Sequence, residues 1–242
     1  MALAGVKVQW LGHSTFVITT PEGKNILVDP WVRSNPQCPA EAHDISPDAI
    51  LITHGHNDHI GDVFEVADRC SGPIVGIFDL ITWLGSRGVA SDKLVGMNKG
   101  GTVELEALDV RVSMTDARHS SSFTDEDGTV IYLGEPAGFV VEFSSGESLY
   151  IAGDTSLFGD MAWIAEIYGP TVGILPIGDH FTMDPLQAAL AADLLELEAV
   201  IPCHYGTFDA LTGTPKELVE YLETYELEVD VIALEPGQAH SF

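Results

Sequence analysis

The chain has 242 residues, 45% of them apolar, and a formal net charge of -27 from 37 acids against 10 bases. That length and apolar share support a substantial core in one α/β domain over residues 1–242, and they exclude disorder and low complexity. The acids are spread along the whole chain, so the surface repels nucleic-acid phosphates and anionic lipid.

Strands are predicted at 6–10, 15–19 and 26–29, with a turn at Pro21-Glu22-Gly23-Lys24. Residues 31–48, rich in Pro, Asn and Ser, read as a loop. A β-branched run at 49–53 predicts a buried strand, followed by a helix at 62–69, a strand at 74–77 and a helix near 80–86. Strands follow at 103–106 and 110–115, then a polar stretch from 116 to 128. Residues 137–143 and 148–152 form a predicted hairpin, followed by a helix at 161–168 and a strand at 171–177. Asp184-Pro185 caps a helix over 186–197, and Thr214-Pro215-Lys216-Glu217 is a capping box ahead of 218–225. Late strands are predicted at 200–201 and 231–233. The order predicts two similar halves, each a sheet with helices on one side.

Cys38, Cys70 and Cys203 are odd in number and share no CxxC spacing, which fits a reducing compartment and argues against a disulfide framework. The first residues lack a basic region followed by a long apolar stretch, and no apolar run approaches a membrane span. A cytoplasmic location is therefore expected. The acidic surface fits either plain solubility or a high-salt interior, where screening lets like charges coexist.

The chemical signal is His54-x-His56-x-Asp58-His59, three imidazoles and a carboxylate directly after a buried strand. Imidazole and carboxylate suit zinc, manganese or iron. One short loop cannot fill two coordination spheres, so more donors are expected from distant strand ends. His119, Asp154 and His204 each stand in that context.

Set in this order and spacing, with Asp29 after an early strand, these residues resemble the metallo-β-lactamase superfamily over roughly residues 6–236. More narrowly, Trp10-Leu11-Gly12-His13-Ser14, Ala152-Gly153-Asp154-Thr155, Phe181-Thr182-Met183 and His204-Tyr205-Gly206-Thr207 resemble metal-dependent hydrolases related to the ascorbate-6-phosphate lactonases. The long insertions of tRNA-processing relatives are lacking, and His56 stands where the diiron flavoproteins carry Glu. The resemblance implies a four-layer αββα sandwich with two divalent metals, zinc first, between its halves. It implies that His54, His56 and His119 hold one metal, that Asp58, His59 and His204 hold the other, and that Asp154 bridges them. Metals about 3.5–4 Å apart share a hydroxide that attacks the substrate.

Asp29 is a candidate to orient a ligand imidazole, or simply to fix the turn into Pro30. Beside Asp58, which counts as both ligand and catalytic carboxylate, His13 and His180 are candidates to donate a proton or contact substrate. Ser120-Ser121-Ser122 lacks a nucleophile turn and is expected to support His119 or line the pocket. Cys203 reads as a packed residue, and His43 and His240 as solvent-exposed. The leading expectation is a hydrolase of a small-molecule ester, lactone or phosphoester; the resemblance admits a homo-oligomer, and the sequence leaves the oligomeric state open. The alternatives are a phosphodiesterase acting on short single strands, which the shortage of Lys and Arg disfavours, and a metal- or metabolite-binding sensor without turnover.

Overall fold

The computed structural model describes residues 3–242, folded as two seven-stranded sheets and a small ribbon. The first half contributes β1 (Lys7–Trp10), β2 (Phe16–Thr19), β3 (Asn25–Val28), β4 (Ala49–Leu51), β5 (Ile74–Ile77) and β6 (Leu94–Met97). Its helices are α1 (Asn57–Ile60), α2 (Val63–Arg69) and α3 (Phe78–Ser86). The second half begins with β7 (Thr102–Leu105), β8 (Val110–Asp116) and the ribbon β9 (Ser122–Thr124) and β10 (Val130–Tyr132). It continues through β11 (Ala137–Phe143), β12 (Ser148–Ile151), α4 (Met161–Tyr168), β13 (Val172–Pro176) and α5 (Pro185–Leu194). The last elements are β14 (Ala199–Cys203), α6 (Pro215–Thr224), β15 (Asp230–Val231) and β16 (Ala239–Ser241).

The sheets run β16-β1-β2-β3-β4-β5-β6 and β15-β14-β13-β12-β11-β8-β7. Each is antiparallel on one side and parallel on the other, with the change at β3 in the first and β12 in the second. The predicted pair of similar halves is thus present at the level of strand order. Buried residues of both sheets, among them Phe16, Ile26, Ile50, Phe139, Leu149 and Ile174, form one continuous core. The opposite face of the second sheet buries Tyr150, Leu175 and Val200 against α4, α5 and α6. Burial on both faces explains why β12, β13 and β14 read as continuous apolar runs without alternation. With α3 against β5 and β6 on the other side, the architecture is the αββα sandwich.

The helix caps form as their sequences dictate. Asp184 accepts from the Gln187 amide at 2.7 Å. The Thr214 hydroxyl accepts from the Glu217 amide and donates to its carboxylate at 2.7 Å.

Several elements were not predicted. β6 is short and carries a glycine. The polar stretch at 116–128 contains β9, whose turn into β10 closes through Asp125 N–H to the Thr129 carbonyl. β16 returns to pair with β1, matching Lys7 with Ser241. The strand expected over 49–53 ends at Leu51. His43 and His240 are half-buried instead of exposed; the His43 ring bonds the Cys38 carbonyl, and His240 lies in β16. Among the described residues no helix is long and apolar enough to cross a membrane.

Candidate metal centre

The cluster sits where strands of both sheets end. Asp29 follows β3, the His54–His59 stretch follows β4, Asp154 follows β12 and His204 follows β14. These are the carboxyl ends of parallel strands, where an open α/β sheet leaves its crevice. The Thr53 carbonyl accepts from the Ala137 amide at 2.9 Å and ties the two halves together at this point. Beyond it, the one-turn helix α1 opens on His56, whose carbonyl accepts from the His59 and Ile60 amides. Glycine is required at Gly55, where a Cβ would lie 2.7 Å from the Leu133 side chain. It is also required at Gly153, at a φ of +62° and with Thr53 2.9 Å from any Cβ.

Two donor groups result. In the first, His54 Nε2 lies 3.0 Å from His56 Nδ1, which lies 3.3 Å from His119 Nε2. In the second, Asp58, His59 and His204 converge with His13, their donor atoms all within 4.8 Å of one another. Asp154 Oδ2 stands between the groups. It is 3.0 Å from His204 Nε2, 3.3 Å from His59 Nε2, 3.6 Å from His119 Nε2 and 3.9 Å from His54 Nε2.

These residues fit divalent cations. Donors about 2.0–2.1 Å from a tetrahedral ion stand about 3.3–3.4 Å from each other, close to the separations of the first group. His56 Nδ1 faces two imidazole nitrogens, and one ring nitrogen cannot satisfy both by hydrogen bonding. In and beside the second group, His59 Nε2 and Asp154 Oδ1 are buried without a hydrogen-bond partner. Buried polar atoms left this way are costly unless an ion takes their lone pairs.

A surrounding layer fixes the rings. Asp29 accepts from the Thr53 amide on Oδ1 at 2.8 Å, and from the Thr53 hydroxyl and His59 Nδ1 on Oδ2, both at 2.7 Å. The Thr53 hydroxyl, having donated to Asp29, accepts from His54 Nδ1 at 3.0 Å. Both rings therefore turn Nε2 inward as a lone pair. Ser120 Oγ lies 3.3 Å from His56 Nε2, and the Ser121 hydroxyl accepts from the Gly55 amide at 3.1 Å. His13, Asp29 and His204 all have left-handed backbones, at φ 53°, 49° and 55°. Such conformations are uncommon outside glycine, and Asp and His are among the residue types that adopt them most readily.

Burial and the neighbouring imidazoles hold His54, His56 and His119 below the ordinary imidazole value, and His13 at about 4. Burial would also depress His59, but Asp154 and Asp29 outweigh it and hold His59 well above. Burial would raise Asp154 and Asp58, yet the facing imidazoles keep both carboxyls low. The cluster thus favours neutral imidazole at four positions and ionised carboxylate at two, the forms that ligate metals.

A cleft of about 310 Å³ opens onto the cluster, lined by His56, Asp58, His119, Ser120, Asp154, Phe181 and His204. His54, His59 and His13 lie fully buried behind it. Every histidine and aspartate expected as a ligand is brought together here. His180 is not: two left-handed residues, Asp179 and His180, turn the chain so that Phe181 lines the cleft while His180 stays exposed. The His180 ring packs edge-on against Phe181, with centroids 4.4 Å apart. Sequence reasoning missed Phe181 as a wall, Thr53 and Thr207 as partners of ring nitrogens, and Gln37 as the acceptor that orients the Thr207 hydroxyl and the His13 backbone amide. Phe181 and Thr207 carried a signal only as members of the Phe181-Thr182-Met183 and His204-Tyr205-Gly206-Thr207 stretches, without a role attached.

Residues 24–205 match the family model described as the beta-lactamase superfamily domain. A UPF0173 metal-dependent hydrolase of Roseiflexus sp. is 48% identical over 97% of this chain and 96% of its own length. One from Methanopyrus kandleri is 41% identical over 97% of this chain and 99% of its own. Among solved structures, Igni18, a metallo hydrolase from Ignicoccus hospitalis, superposes with a TM-score of 0.83 at 36% identity, covering 98% of each chain.

Proposed function

The chain belongs to the metallo-β-lactamase superfamily and, within it, to the UPF0173 metal-dependent hydrolases, and from that premise we propose that it hydrolyses small uncharged esters or lactones with two divalent cations. The carrying observation is the position of Asp154 Oδ2, within 3.9 Å of an imidazole nitrogen from both donor groups. His54, His56 and His119 hold one cation; Asp58, His59 and His204 hold the other; Asp154 serves both. Zinc, manganese and iron all accept this donor set, with zinc the first expectation. Cations bound there polarise a carbonyl oxygen and lower the pKa of water toward neutrality.

The chain's own groups supply the rest. Asp58 lines the cleft, about one-third exposed, and can accept the proton of the attacking water. Phe181 provides an apolar wall opposite the histidines. No lysine or arginine lines the cleft among the described residues, and nearby Arg118 stacks over Phe158 and faces Asp160. A phosphate group would meet no protein cation there, and the net charge of -27 repels it from a distance. Uncharged carbonyl substrates are therefore favoured over phosphoesters and nucleic acid.

The test combines metal analysis with a panel of lactones, carboxylic esters, phosphomonoesters and phosphodiesters. The expected result is turnover of the first two classes that is lost on chelation, restored by metal, and absent in His56→Ala. Undiminished ester hydrolysis by the chelated protein would sink the metal mechanism. A preference for phosphodiesters would sink the substrate class.

A further inference from the structure

His13 belongs to neither ligand set that the family resemblance implies, yet it is built into the centre more tightly than most of its neighbours. It sits on the turn between β1 and β2 and is fully buried, its ring centroid 4.1 Å from that of His204. A Cβ on the preceding Gly12 would lie 2.6 Å from the Gln37 side chain, so glycine is what lets this turn close against Gln37. The His13 carbonyl accepts from the His204 amide at 3.0 Å, which fixes the two ligand-bearing turns to each other.

Its hydrogen bonds determine which nitrogen is free. The His13 backbone N–H, which can only donate, points at Gln37 Oε1 at 2.9 Å, and this identifies the amide oxygen of Gln37. The Thr207 hydroxyl lies 2.8 Å from the same oxygen and must donate to it. That hydroxyl has a single proton, so at 2.9 Å from His13 Nδ1 it can only accept. Nδ1 therefore carries the hydrogen, and Nε2 is the nitrogen turned toward the cluster. Nε2 lies 3.2 Å from Asp58 Oδ2, and its donor group includes His59 and His204. An imidazole committed through one nitrogen to an oriented acceptor, with the other aimed into a cage of donors, has the architecture of a metal ligand.

We propose that His13 Nε2 is a direct ligand of the second cation, completing a set of His13, Asp58, His59 and His204. This rests on the two-cation reading above and extends it. The two ions then differ in kind. With His13 included, five side chains counting Asp154 would surround the second ion and four the first, so the first would be the more open to a further donor. Both groups reach the cleft, through His56 and His119 on one side and Asp58 and His204 on the other, so the count of donors and not the lining separates the two ions. Substrate oxygen would then have its more open position on the His54–His56–His119 side, and the second ion would chiefly hold the site together.

The rival role is a hydrogen bond from a doubly protonated His13 to Asp58, positioning that carboxylate without contacting metal. Nuclear magnetic resonance of histidine-¹⁵N-labelled wild-type protein loaded with ¹¹³Cd separates the two. The expected result is a cadmium-coupled Nε2 on His13, alongside coupled nitrogens on His54, His56, His59, His119 and His204. His43, His180 and His240 serve as uncoupled references. Coupling on the other five with a proton retained on His13 Nε2 overturns the proposal and leaves the two-cation reading standing. Uptake of a single cadmium equivalent overturns both. Independently of turnover, His13→Gln is expected to weaken the second cadmium equivalent at least 100-fold, and Thr207→Val by about 10–100-fold. Unchanged affinity in both variants would overturn the assignment.

Discussion

Replacing Asp29 by Asn tests whether metal affinity at this centre is set by a hydrogen-bond pattern one layer out. Asn is the informative substitution because it tolerates the left-handed backbone that Asp29 occupies at φ 49°, so the effect reports chemistry instead of strain. The Thr53 amide must keep an oxygen opposite it, so the new NH₂ takes the place of Oδ2. There it faces two donors, the Thr53 hydroxyl and His59 Nδ1–H, where the carboxylate accepts at 2.7 Å from each. The hydroxyl rotates away. The ring relieves the clash only by moving its proton to Nε2, which then donates to Asp154 Oδ2, 3.3 Å away. The lone pair that His59 offers a cation is lost. Changes of this kind cost 10–100-fold in metal affinity, or about 1.4–2.7 kcal/mol. Competition with a chromophoric chelator reads the two equivalents separately. The equivalent held by His59 should weaken by that factor, while the one held by His54, His56 and His119 changes less, since Thr53 Oγ still accepts from His54 Nδ1. If both equivalents bind Asp29→Asn within twofold of wild type, the tautomer argument is wrong.

Chelated protein should lose stability on acidification from about pH 6.5 to 4. His13, His54, His56 and His119 fold neutral, so in this window the unfolded chain binds protons that the folded cluster refuses. His59 does not oppose this, because its raised value gives stability that is constant below 6.5 and lost only as pH rises through the folded value. Urea unfolding at pH 7 and 5 measures the difference, and a flat profile would contradict it. Gly178→Ala places a Cβ 2.0 Å from the His204 carbonyl and should displace that turn, with loss of bound metal measured by elemental analysis. Thr214→Ala removes the cap of α6 and should cost about 1 kcal/mol without altering metal content, as read by thermal unfolding. Phe181→Ala should raise KM for ester substrates with less effect on kcat, and a kcat-only effect would remove Phe181 from substrate binding.

What could be read from sequence was whatever depends on local chemistry. Asp184-Pro185 and the Thr214 box carry their cap geometry within four residues, and the structure forms both. The candidate metal donors were legible because donors at strand ends leave a spaced pattern. The elements that escaped depend on partners remote in the chain. β16 exists because Lys7 and Gln9 on β1 offer it an edge, and nothing in Ala239-His240-Ser241 itself signals a strand. The position of His180 could not be foreseen, because the two consecutive left-handed residues that reverse its side chain are Asp179 and His180 themselves, not the glycine before them. The role of Gln37 was hidden altogether, and that of Thr207 was hidden although its stretch was singled out. Each is an ordinary polar residue whose meaning arises only when positions 13, 37 and 207 meet.

The meeting of both halves at one cluster has a mechanical consequence. His54, His56, Asp58 and His59 come from one half; His119, Asp154 and His204 come from the other, and all three cysteines are free. A cation gripped from both sides as proposed would be a crosslink, joining His54 and His204 across a loop of about 150 residues and restricting the unfolded ensemble much as a disulfide of that span would. Unlike a disulfide, this staple survives a reducing environment and yields to chelation. Metal supply would then govern how long the chain resists proteolysis as well as whether it turns over substrate.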